Sequence, residues 1–119
     1  MKDRTRTILT VFIAVFLGLC TLVFLAELYF SISALILPEP APDAEIGESL
    51  GLGLSRAFLL VFFLIALVSH VVLTIIGEVL SILTARFSDG KTRLFAIIAA
   101  ASEGVFLAVG IVLWFGTYL

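Results

Sequence analysis

The sequence predicts an all-α integral membrane protein with three transmembrane helices. Two observations carry that reading. Of 119 residues, 62% are hydrophobic and only 13% charged, with a mean hydropathy of +1.29, far from a soluble globular composition. The charges also avoid three apolar segments, each longer than the ~20 residues that cross a ~30 Å hydrocarbon core.

Helix one is expected over about residues 7–37. Residues 1–26 also carry the basic start and apolar core of a signal peptide, but the apolar run is longer than a signal core and reads as a membrane span. Residues 38–56 hold all three prolines and the acids Glu39, Asp43, Glu45 and Glu48, so they are expected to be a solvated loop. Within it, Leu50, Leu52 and Leu54 are apolar enough to rest on the membrane surface. Helix two follows over about 57–86 and a turn over 87–92, where Ser88-Asp89-Gly90 is turn chemistry. Helix three is expected over about 93–119. So short a turn predicts a tight antiparallel hairpin of helices two and three.

Six of the seven basic residues flank the N-terminus or this turn: Lys2, Arg4, Arg6, Arg86, Lys91 and Arg93. Only Arg56 lies on the other side. The positive-inside tendency then predicts a cytoplasmic N-terminus and an outer C-terminus in an inner-type membrane, with Trp114 and Tyr118 in the interfacial aromatic belt. Helices one and two overshoot the bilayer on the outer side, in 30–37 and 57–64. Apolar surface left uncovered there points to a partner.

Polar residues inside these segments carry what functional signal there is. At ~100° per residue, Ala66, His70, Thr74, Gly77, Ser81 and Thr84 form one stripe down helix two, of the small and polar kind that packs helices in lipid. Helix three repeats the design with Ala96, Ala100, Gly104 and Ala108 at four-residue spacing. Glu78 lies eight residues before Arg86 and Glu103 ten after Arg93, which puts both carboxyls ~12–15 Å from the cytoplasmic end. Two carboxylates cannot both stay ionised and unpaired at low dielectric. Either the pair handles protons or cations, or a protonated Glu bonds Thr74, Ser81 or Ser102 and locks helices together.

His70 falls in the outer half of helix two, near the level of Cys20. It is expected to be a neutral hydrogen-bonded residue, with a proton relay or a haem ligand as alternatives. Membrane anchor subunits of succinate dehydrogenase are similar in size and use a mid-helix histidine, but the Asp-Tyr pair expected soon after it is absent here. Glu27, ~31 Å from Arg6 along helix one, is expected to be a polar boundary residue near the outer headgroups.

Cys20 reads as a small apolar residue, and a lone cysteine excludes an intrachain disulfide or a cysteine-based zinc site. No cofactor or metal is expected. Without a basic face, nucleic acid is excluded as a partner. No nucleophile has a placed base, which argues against an enzyme. The leading expectation is a non-catalytic subunit packed in a larger membrane complex or in copies of itself. The alternative is an oligomeric proton- or cation-coupled channel using Glu78 and Glu103, with His70 as a further candidate.

Overall fold

A computed structural model describes residues 3–39, 42, 43 and 45–119. The expected basic residue Lys2 and loop positions 40, 41 and 44 lie outside the described residues. Three helices make up the fold: α1 (Asp3–Ile36), α2 (Ile46–Phe87) and α3 (Gly90–Tyr118). All three are long and apolar enough to cross a membrane. Every pair is in contact, and the bundle measures 69 × 20 × 15 Å. Helix one is therefore as much part of the bundle as the other two.

The helix ends follow local chemistry. α1 stops at Ile36 because Leu37 precedes Pro38, and a residue before proline is pushed out of the α region. α2 begins at Ile46, eleven residues earlier than the pattern predicts. After Pro42 nothing blocks a helix: Gly47, Gly51 and Gly53 weaken it by only ~1 kcal/mol each, while Glu48 sits favourably in the first turn. Only Ser88 and Asp89 separate α2 from α3. Gly90 then opens α3 with φ +60, a left-handed conformation that a side chain would strain.

The inward faces repeat every seven residues. α1 buries Ile13, Cys20, Glu27 and Ser31; α2 buries Phe63, His70, Thr74, Gly77, Ser81 and Thr84; α3 buries Ala96, Ala99, Glu103 and Gly110. Spacings of three, four and seven keep one seam facing the partners along the whole length, as in left-handed coiled-coil packing. The expected seam of helix three coincides with this repeat only in part. Ala96 is buried and Ala100 half-buried, but Gly104 and Ala108 are exposed. A strict four-residue step advances ~40° per turn around the helix, so it walks off the interface within three turns. In helix two the predicted stripe faces inward, with Ala66 half-buried at its edge.

Most of the interior is polar, yet both ends are closed by apolar groups. At the end holding the α1–α2 loop, Phe63 packs against Trp114 and Tyr118 with ring centroids 5.8 and 5.3 Å apart. Trp114 and Tyr118 thus cap the bundle interior as well as standing where a headgroup belt would be. At the end holding the α2–α3 turn, Ile13, Ala96 and Ala99 form a small core with Leu17, Leu80, Ala85 and Phe95 around it.

Candidate functional site

Between these caps lies a column of buried polar side chains. Nearest the loop end, Ser31 and Thr117 hydroxyls meet at 2.5 Å. One turn along α1, Glu27 Oε1 and His70 Nδ1 are 2.8 Å apart, and both side chains are fully buried. Whichever atom holds the shared proton donates it to the other. Further in, Cys20 Sγ stands 3.9 Å from Thr74 Oγ1. Beyond that, Glu103 reaches across from α3 to Gly77, and Ser81 follows one turn later, also buried.

Glycines make room for the two buried carboxyls. A Cβ built on Gly77 would lie 2.5–2.8 Å from three carboxyl atoms of Glu103. One on Gly110 would collide with Glu27. Each glycine therefore acts as a cradle that lets an acid from the neighbouring helix lie against bare backbone.

Several of these groups are not internally satisfied. Among the described residues, Glu27 Oε2, His70 Nε2, Ser81 Oγ and both carboxyl oxygens of Glu103 are buried without a hydrogen-bond partner. Buried polar groups normally find partners, because leaving one unpaired costs ~1–3 kcal/mol. Ionisable residues kept at that cost inside a membrane segment mark proton or ion sites by default.

The structure relocates two of the expected groups. Glu27 is an interior partner of His70, not a boundary residue. Glu27 lies 21 residues from Arg6 and His70 lies 16 from Arg86, a difference of ~7 Å in depth if both bases stand level. In fact Arg6 Nη2 lies 4.0 Å from Asp89 Oδ1, three residues past Arg86. That register lowers α1 by ~4.5 Å relative to the count, more than half of the difference, and leaves Glu27 within side-chain reach of His70. The seven-residue interval from Cys20 to Glu27, with Ser31 on the same face, is the sequence signal that could have found it.

Glu78 and Glu103 do stand at one level, but on different surfaces. Glu103 is sealed in the interior; Glu78 is half-buried on the outside of the seam, beside Gly104, where an added Cβ would lie 3.6 Å from its Oε1. No group of three or more His, Cys, Asp or Glu that could hold a metal occurs among the described residues. His70 is enclosed on all sides, with Nε2 buried, so no face is open for a porphyrin to reach it.

No known family, no characterised protein and no solved fold matched this chain.

Proposed function

We propose that this chain is a membrane protein that binds and moves protons through the polar interior of its bundle. Glu27 and His70 serve as a proton-sharing pair, and Glu103 as a second protonatable site two turns nearer the α2–α3 turn. The observation that carries this reading is the fully buried Glu27–His70 contact together with a wholly unpartnered Glu103 in the same column. Seven residues separate His70 from Gly77, where Glu103 rests, so the two sites are ~10 Å apart along the axis. That is too far for a direct hop. Thr74 and Cys20 lie between them and supply the intermediate polar stations.

The aromatic cap and the Ile13 core make this a gated compartment, not an open pore, consistent with proton loading at one end at a time. The cytoplasmic N-terminus and the α2–α3 hairpin belong to the same proposal. They place Glu103 toward the cytoplasm and the Glu27–His70 pair toward the outside. Glu103 replaces Glu78 as the acid on which transport depends, because Glu78 stands outside the seam.

Proteoliposomes with an imposed pH gradient and an internal pH dye test this. The wild-type chain should dissipate the gradient. Glu103→Gln, which keeps shape and hydrogen bonding but removes titration, should leave the helices intact and lower the flux at least tenfold. Wild-type vesicles as proton-tight as protein-free ones would refute the reading.

A second reading, a subunit of a larger membrane complex, has its own support. Along the outer part of α2, Ile46, Leu50, Leu54 and Phe58 are all at least half exposed. The two readings are compatible, since a proton-handling bundle can sit within an assembly.

A further inference from the structure

A cavity of about 500 Å³ opens at the loop end, lined by residues of all three helices; it borders the outermost hydroxyl of the polar column and lies within the ~300–1,000 Å³ range of ligand sites. Its charged lining consists of Arg56 and Glu39, its hydroxyl groups come from Thr117 and Tyr118, and Leu35 and Leu60 are among its apolar walls. Neither Arg56 nor Glu39 is ion-paired among the described residues. One free cation and one free anion thus face a single cavity that has a greasy floor.

Helix length sets the depth of this cavity. Arg56 and Arg86 are 30 residues apart on α2, or ~45 Å, which matches the ~40–45 Å thickness of a bilayer including headgroups. Arg56 and Glu39 therefore stand at headgroup level. Leu60 lies one turn of α2 nearer the bilayer centre, and Leu35 sits in the last turn of α1, four residues before Glu39. A ligand for this site carries a phosphate and a primary ammonium above an apolar chain.

We propose that the cavity binds the phosphoethanolamine headgroup of a membrane phospholipid. The Arg56 guanidinium donates to the phosphate in its fork geometry. The ammonium donates to the Glu39 carboxylate, and the acyl chain runs down past Leu60 and Leu35. A choline headgroup has the same net charge, but its methylated ammonium has no proton to donate, so the site selects ethanolamine.

Nanodiscs holding equal amounts of phosphatidylethanolamine and phosphatidylcholine test the selection. Lipid retained on the protein is read by native mass spectrometry. The ethanolamine lipid should be retained roughly tenfold over the choline lipid, the scale of one charge-assisted hydrogen bond. Glu39→Gln should bring that ratio to about one, and Arg56→Gln should lower retention of both lipids. Both side chains are exposed, so unchanged circular dichroism should confirm folding. Equal retention by the wild type, or a ratio unmoved by Glu39→Gln, would overturn the assignment. Displacement of the lipid by excess soluble glycerophosphoethanolamine would overturn the lipid as its source. Because none of these readouts involves proton flux, they stand or fall separately from the proposed transport.

Discussion

At the scale of single residues, the unusual feature is that acids and glycines are matched across helices. Glu27 lies against Gly110 and Glu103 against Gly77, so each glycine is a precondition for the acid it receives. Gly110→Ala should push the Glu27 carboxyl off His70. The expected cost is ~1–3 kcal/mol, the range for overpacking a filled interior, accompanied by a changed His70 ring signal in NMR. Gly18→Ala, where an added Cβ meets nothing within 4 Å, should raise thermal stability by up to ~1 kcal/mol and leave that signal unchanged. Equal effects of the two substitutions would show that Gly110 is not a cradle. The surrounding hydroxyls are less exacting. Thr10, Thr21 and Thr84 each donate to the carbonyl four residues back in their own helix, a local bond that satisfies the group without tying helices together.

At the scale of elements, α2 is the one whose length demands explanation. Its 42 residues span ~63 Å, roughly twice the hydrocarbon thickness. Residues 46–55 extend beyond the ends of α1 and α3, and most of their apolar side chains are open, with Ile46 87% and Leu50 61% exposed. A lone helical arm gains nothing from that surface until something covers it. Replacing Ile46, Leu50 and Leu54 together by serine should therefore leave the bundle folded while removing any protein that copurifies at fixed stoichiometry in mild detergent. Unchanged copurification, or a wild-type chain that runs alone, would assign the arm no partner. The same element shows how far periodicity could be read. His70, Thr74, Gly77, Ser81 and Thr84 were legible as one face because five polar or small residues stand out against Leu, Val, Ile and Phe. The start of α2 was not, because the prolines and acids of 38–48 mark a loop, yet beyond Pro42 no residue forbids a helix.

At the scale of the whole molecule, the bundle turns the usual soluble arrangement inside out. Large apolar residues such as Leu22, Val68 and Val112 are 63–67% exposed and suit lipid contact, while acids, histidine and hydroxyls line the seam. The proposed orientation in the membrane, with the basic end in the cytoplasm, is open to a direct test. In intact cells, a cysteine placed at Ser49 should react with an impermeant thiol reagent, while one placed at Ser88 should react only after permeabilisation. Cys20 gives no background because it is fully buried. Reversed labelling would invert the bundle and exchange the sides on which the two proposed proton sites face.

Composition and segment length were sufficient to establish the class of the protein. Uncharged apolar runs long enough to cross a bilayer leave the backbone no alternative to helices, since only a helix satisfies every peptide group within its own segment. They also sufficed to bring Glu78 and Glu103 to one depth, because rise per residue is constant along a helix. Which of these carboxyls turned inward, and which residue met His70, depended on the register of α1 against the other two helices. That register is set by side chains far apart in sequence, from Arg6 at Asp89 to Ser31 at Thr117, and a shift of ~4.5 Å, one turn or less, exchanges a boundary glutamate for an interior one. Periodicity within a helix says what shares a face; only the packing of three such faces, each repeating every seven residues, decided what each polar group would touch.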